Sequence, residues 1–157
     1  MKVMINLAIA AAIVTMMASC GGSNEQGSTS GINSSTPSQT PANPNDPMSN
    51  KGIGPVTKVE LGPLDATMAA EGEEIFKKMC SACHKPEEKF IGPAPKGILD
   101  RRSPEWVMNM ILNPEEMVKY DAVAKQLLIE ANLAPMANQN LTEEQARKIL
   151  EYFRTLK

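Results

Sequence analysis

The stretch Cys80-Ser81-Ala82-Cys83-His84 places two thiols three residues apart and sets the only histidine of the chain directly after the second thiol. This C-x-x-C-H spacing is the signature of covalent c-type haem attachment. Thiols so spaced on a helical turn can reach the two vinyl groups on one edge of haem, and the imidazole can ligate the iron. We therefore predict one covalent haem c, attached through Cys80 and Cys83 and ligated by His84.

The paired cysteines have three other interpretations. A structural zinc site needs four ligands, whereas the chain offers one histidine and a single further cysteine, Cys20. A thioredoxin-like redox site belongs to a βαβ context, which the sequence does not show. The alternative that stays open is a Cys80–Cys83 disulfide in an exported scaffold protein without redox function, which would be recovered without covalent haem.

The second axial ligand of the iron has few candidates. Because His84 is the only histidine, ligation by two histidines of this chain is excluded. Most methionines beyond the leader lie on predicted helix faces, but Met136 follows Pro135 in the loop 134–140. The fixed φ of proline limits the conformational freedom of this loop, so it can present a side chain to a metal. We predict Met136 as the sixth iron ligand.

The region 55–157 is predicted to be an all-α domain, a small bundle of four to five short helices around one haem. After a short extended arm at 56–64, apolar residues recur at steps of three and four, and no stretch alternates convincingly with period two. Helix starts are indicated by side-chain caps or by proline at the first position. They lie at Thr67, Ser103-Pro104, Asn113-Pro114, Asp121 and Thr142-Glu143-Glu144-Gln145, the last resembling a capping box.

The first 54 residues are predicted to lie outside the domain. Residues 1–19 have a positive start and an apolar run, as in a secretory signal peptide. The small residues before Cys20 resemble a bacterial lipoprotein leader, although Met17 stands where leucine is usual, so we predict a lipidated Cys20. An ordinary cleaved signal is the alternative, and both export the protein. Residues 20–54, rich in Gly, Ser, Asn and Pro, are predicted to be a flexible linker.

From about residue 69 to 157 the chain resembles the class I (mono-haem) cytochromes c, in a lipoprotein-anchored bacterial form. The resemblance rests on five pieces in order, Gly72-Glu73-Glu74-Ile75-Phe76, Cys80-Ser81-Ala82-Cys83-His84, Ile91-Gly92-Pro93, Pro135-Met136 and Leu141-Thr142. It implies that the first and last helices cross, with Gly72 allowing close approach to an aromatic residue.

The resemblance also assigns roles near the haem. It implies that the carbonyl of Pro93 accepts a hydrogen bond from the ligating His84, which would orient the ring and tune the iron. Trp106 and Arg101 or Arg102 are candidates for contacts to the haem propionates, which the spacing does not decide.

The expected function is single-electron transfer rather than catalysis, because a His/Met pair closes both axial positions. We expect a carrier on the periplasmic side, anchored by lipidated Cys20, that works in a respiratory chain. Its partners would be a membrane donor and a terminal oxidase or reductase. The net charge of −2 provides no basic field for nucleic acid. The alternative is a haem enzyme or gas sensor in which peroxide or NO displaces a weakly bound Met136.

Overall fold

Residues 46–157 are described in a computed structural model. The helices are α1 (Ala66–Met79), α2 (Pro104–Leu112), α3 (Pro114–Tyr120), α4 (Ala122–Glu130) and α5 (Glu143–Thr155), with a short 3₁₀ helix at Ile98–Asp100. Within this range the chain forms no β-strand, which confirms the predicted all-α class. No helix in the described range is long and apolar enough to cross a membrane. The predicted signal peptide, Cys20 and the linker up to residue 45 lie outside the described residues.

Three of the predicted helix starts are confirmed by side-chain caps. The Ser103 hydroxyl accepts a hydrogen bond from a backbone N–H of α2, and Pro104 occupies the first helical position. Asp121 caps α4 in the same way. Thr142 and Gln145 form a reciprocal capping box at the start of α5. Each cap satisfies backbone N–H groups that a helix leaves without an internal partner.

The predicted cap of α1 is wrong. The helix begins two residues before the expected position, and Asp65 rather than Thr67 provides the cap, accepting the Met68 N–H at 2.9 Å. A carboxylate is the stronger cap, because it accepts the hydrogen bond and also faces the positive end of the helix dipole. Thr67 therefore lies inside the first turn.

α1 and α5 cross at close range and form the most extensive helix pair of the fold. Gly72 of α1 lies directly against the backbone of α5 at Lys148. The resemblance implied that Gly72 allows close approach to an aromatic residue of α5, and this detail stays a prediction. Phe76, one turn later in α1, has its ring 5.5 Å from that of Tyr152 and 5.7 Å from that of Phe153. Phe76 is thereby 2% exposed and anchors the crossing in the core.

An extended arm, residues 50–64, runs over the helices without forming a strand. Its main attachment is the buried side chain of Asn109 on α2. The Asn109 amide oxygen accepts the Val56 N–H at 2.9 Å, and its nitrogen donates to the carbonyls of Lys51 and Val56 at 2.8 and 2.9 Å. Both the oxygen and the nitrogen of this buried amide are thus hydrogen-bonded to the arm. These bonds hold the arm in one register.

The start of the arm falls in the segment predicted as linker. Asn50 accepts a hydrogen bond from the Ser103 hydroxyl at 2.6 Å through its carbonyl, and its amide donates to Asp121 at 2.7 Å. Ile53 packs against the hydrophobic core. Residues 50–54 therefore contact the domain, so the packed chain begins before the predicted boundary at residue 54. Composition alone could not reveal these contacts, because their partners lie more than 50 residues away.

The end of the arm is bound by two arginines of α5. Glu151 is fully buried and pairs with both Arg147 and Arg154, the latter at 2.7 Å. The same two guanidinium groups donate to the carbonyls of Glu60 and Gly62, at 3.2 and 2.8 Å respectively. The two arginines neutralise the charge of the buried carboxylate and also bind backbone carbonyls of the arm. The cluster therefore links α5 to the arm.

We expect Gly72→Ala to destabilise the haem-loaded protein, because the added methyl group would overlap the Lys148 carbonyl and force α1 and α5 apart. The free energy of unfolding should fall by about 2 kcal/mol or more, although alanine is the better helix former. Denaturant unfolding followed by circular dichroism measures this. Gly62→Ala is the matched control, since a methyl group there meets no atom within 4 Å. Equal unfolding midpoints for the two variants would contradict the close crossing.

Candidate haem-binding site

The two cysteines and the histidine emerge from one turn at the end of α1. The Cys80 N–H bonds to the Phe76 carbonyl at 2.8 Å and ends the helix. The N–H groups of Cys83 and His84 then bond to the Cys80 carbonyl at 3.1 and 2.9 Å. This turn gives the three side chains a fixed relative position, which attachment to one edge of a haem requires.

Both cysteines are free thiols in the structure, with Cys80 half-buried and Cys83 exposed. Burial, followed by the nearby charge of Cys83, raises the pKa of Cys80 to about 11. Among residues 46–157, no three His, Cys, Asp or Glu side chains are grouped as a metal site.

The imidazole of His84 is oriented by the loop that follows the motif. Its Nδ1 atom lies 2.8 Å from the carbonyl oxygen of Pro93, the contact that the resemblance implied. A carbonyl can only accept, so Nδ1 donates in this contact, and Nε2 is the ring nitrogen left to ligate a metal. A neutral imidazole with a free Nε2 is the form that ligates haem iron. The donor set therefore fits a haem.

Gly92 packs against the face of this imidazole. A Cβ atom at this position would overlap the ring of His84, so only glycine lets the loop approach so closely. The Gly92 N–H also donates to the Cys83 carbonyl at 2.8 Å. The loop is thus bound both to the backbone of the motif and, through Pro93, to its histidine. The sequence shows Gly92 only as part of the Ile91-Gly92-Pro93 motif and does not indicate this contact with the imidazole.

Met136 lies in the loop before α5. Its side chain is half-buried and packs against the same hydrophobic core as Cys80. The loop contains left-handed backbone at Asn132 and Leu133, with φ of 55° and 62°, a conformation that is unfavourable for leucine. Asn138 bonds to the carbonyl of α2 residue Leu112 at 3.3 Å. The sequence predicted that Met136 lies in a loop, but it did not indicate the left-handed backbone at Asn132 and Leu133.

The candidates for propionate contacts already have protein partners. Trp106 is 3% exposed and donates through Nε1 to the Asp121 carboxylate at 3.2 Å. The Arg101 guanidinium donates to the carbonyls of Lys96 and Ala94 at 3.0 and 3.3 Å. The Arg102 guanidinium carbon lies 5.5 Å from the centroid of the Trp106 indole ring.

A cleft of about 300 Å³ lies beside Arg102. It is lined by Arg102, Ala122, Val123, Gln126, Leu127 and Glu130.

Comparison with known proteins agrees with this geometry. The Cytochrome c family model matches residues 69–157. Cytochrome c-551 of Ectopseudomonas mendocina is 32% identical over 89 residues, which are 56% of this chain and all of that protein.

Solved structures show the same fold. A cytochrome c from Rhodothermus marinus is 46% identical with a TM-score of 0.63, and the match covers 66% of this chain and 89% of that one. An engineered form of that protein bound to a carbene intermediate matches with the same identity and coverage and a TM-score of 0.60. These matches confirm the predicted small cytochrome c-like bundle. The chain belongs to the cytochrome c family, a family of electron-transfer proteins, and its cofactor is covalent haem c.

Proposed function

We propose that this protein is a single-electron carrier in which one haem c is attached to Cys80 and Cys83 and ligated by His84 and Met136. It passes electrons between a membrane donor and a terminal oxidase or reductase of a respiratory chain. When bound, the haem supplies an iron that alternates between Fe(II) and Fe(III). The protein supplies the attachment, the axial ligands and a surrounding that excludes water.

The contact between His84 and Pro93 is the observation that carries this proposal. His84 lies on the same turn as the two thiols, and the contact occupies Nδ1, so Nε2 is the ring nitrogen left to ligate the iron. A hydrogen bond from Nδ1 also increases the basicity of the ligating nitrogen. The chain thus offers a pre-oriented strong ligand on one side of the haem.

Met136 is the proposed ligand on the other side. A thioether favours Fe(II) and gives a higher reduction potential than a second histidine would. With both axial positions closed, no coordination site is left for oxygen or peroxide. The sequence also contains no second histidine that could act as a distal acid or base for peroxide chemistry. These two features favour the carrier over the enzyme.

The surface around the motif is mixed in charge. Three of its lysines pair with nearby glutamates, in the contacts Lys77–Glu73, Lys77–Glu74, Lys85–Glu88 and Lys96–Glu87. Lys89 instead donates to the backbone carbonyl of Glu130 at 2.8 Å. Such exposed pairs contribute little to stability, but they cancel the local field. Redox partners therefore meet a nearly neutral surface rather than a basic rim, and small interfaces suit such transient encounters.

The N-terminal region is proposed to hold the carrier at a membrane. Export by the signal peptide 1–19 would bring the domain to the periplasmic side, where c-type haem is attached. Acyl chains on Cys20 would anchor it, since two chains together bind a bilayer stably. A flexible linker of about 30 residues would average roughly 30 Å end to end, which would let the domain move between partners in the same membrane.

We expect Met136→Ala to abolish the weak far-red absorption band of the oxidised protein, because that band arises from a methionine–iron bond. The reduction potential should fall as the thioether is lost. Visible spectra of the oxidised and reduced haem-loaded protein measure both. Met68→Ala is the matched control, since Met68 lies 11 residues before the end of α1, about 16 Å along the helix.

A far-red band that survives in Met136→Ala would remove Met136 as the ligand. A high-spin spectrum of the parent protein would favour a haem enzyme or gas sensor instead. Recovery of the exported protein without covalent haem would favour the disulfide-bonded scaffold.

We expect Gly92→Ala to displace the His84 ring from the Pro93 carbonyl, because the added methyl group overlaps the imidazole. High-spin absorption at neutral pH should increase as the ligand is pushed from its position. The visible spectrum of the oxidised protein reports this directly, with Gly62→Ala as the control. Identical low-spin spectra for both variants would show that the loop adapts and that Gly92 does not position the histidine.

We expect Cys20→Ser to release the carrier into the soluble periplasmic fraction, because a serine cannot receive the thioether-linked lipid. Incorporation of labelled fatty acid should be lost at the same time. Fractionation of a host that attaches haem c measures both, and Ser28→Ala in the linker should leave the protein in the membrane fraction. A labelled, membrane-bound Cys20→Ser protein would place the anchor elsewhere.

A further inference from the structure

We infer that Arg101 is a positioning residue for the haem-ligating histidine. Its guanidinium binds the loop 93–97 and keeps the Pro93 carbonyl within hydrogen-bonding reach of His84. This inference rests on the proposed ligation of the haem iron by His84, and it assigns Arg101 to the loop rather than to a propionate.

On the N-terminal side of Pro93 the chain is held by the Gly92 N–H, which donates to the Cys83 carbonyl at 2.8 Å. On the C-terminal side the loop has few attachments besides those of Arg101. At its far end the Lys96 N–H bonds to the Pro86 carbonyl at 3.0 Å, and the Gly97 N–H bonds to the Leu156 carbonyl at 2.9 Å. Gly97 adopts a left-handed φ of 63°, where the chain turns into the 3₁₀ helix. These bonds fix where the loop ends. They do not fix the peptide groups next to Pro93.

On the C-terminal side of Pro93, Arg101 provides the closest attachment. Its Nη2 donates to the carbonyl of Ala94, the next residue along the chain, at 3.3 Å, and its Nη1 donates to the carbonyl of Lys96 at 3.0 Å. The two acceptors are bridged by one planar guanidinium, a geometry that arginine provides and lysine cannot. The backbone of Arg101 is itself held, because its N–H bonds to the Ile98 carbonyl at 3.0 Å.

The consequence for the iron has a definite sign. The bond from Nδ1 of His84 to Pro93 makes the imidazole a stronger donor, which stabilises Fe(III) and lowers the reduction potential. Loosening the loop weakens this bond and should raise the potential. Removing a positive charge near the haem acts in the opposite direction, because a cation disfavours Fe(III). Arg101→Lys keeps the charge and removes only the bridge, so it isolates the positioning effect.

Arg102 offers a matched control for the same substitution. It is the next residue and carries the same charge, but its guanidinium contacts the Arg101 carbonyl and the indole ring of Trp106 rather than the loop. Arg102→Lys therefore makes the same chemical change next to the site and leaves both bonds to the loop in place.

The test uses the haem-loaded full-length protein. Hydrogen exchange of the His84 Nδ1 proton is followed by NMR in the reduced state, and the reduction potential is measured by redox titration. We expect Arg101→Lys to speed this exchange about tenfold and to raise the potential, while Arg102→Lys changes neither. Arg101→Gln, which can reach only one of the two carbonyls, should speed the exchange as well.

Exchange at the parental rate in both Arg101 variants would overturn the inference. So would equal changes in Arg101→Lys and Arg102→Lys, since they would indicate a general effect of losing a guanidinium. Failure of the proposed function is distinguishable from either result. It would be visible in the parent protein, as missing haem or as a high-spin spectrum, before any variant is compared.

Discussion

The close crossing of α1 and α5 at Gly72 determines where the haem-binding groups lie. α1 ends at the turn that carries both thiols and His84. α5 ends at Thr155, and the carbonyl of the next residue, Leu156, binds Gly97 at the far end of the loop that presents Pro93. The crossing therefore holds the far end of this loop close to the turn that carries the histidine. A wider crossing would separate groups that belong to different parts of the chain.

Buried polar groups extend this arrangement to the N-terminal arm. Asn109 and Glu151 are 1% and 0% exposed, and each is satisfied by partners on or beside the arm. Leaving such a group unpaired costs about 1–3 kcal/mol, so the arm and the helices stabilise one another. In functional terms the arm joins the proposed membrane tether to the face formed by α2 and α5.

Some residues of the site could be predicted from the sequence and others could not. The thiols and His84 were identifiable because their chemistry depends on spacing within five residues, and the contact of His84 with Pro93 followed only from resemblance to a family. Met136 stays a prediction, supported by its place in a half-buried loop. Arg101 was considered for a propionate, because sequence shows the charge of a side chain but not the backbone carbonyls that it reaches.

The fold, too, could be predicted from the sequence only in part. Class and most helix starts were predictable, since caps such as Ser103 and Thr142 act on backbone groups three residues away. At the start of the arm, partners more than 50 residues away decided which residues pack against the domain. For α1 the choice between Asp65 and Thr67 was local, and the stronger acceptor prevailed.

By itself, the sequence determined the cofactor chemistry, the all-α class and the local starts and ends of helices, because these depend on neighbours along the chain. Only the tertiary structure decided which carbonyl orients His84, which residues hold the loop around Pro93, and where the arm begins to pack. Those outcomes depend on hydrogen bonds and contacts between segments that are tens of residues apart. Their geometry exists only once α1 and α5 have crossed.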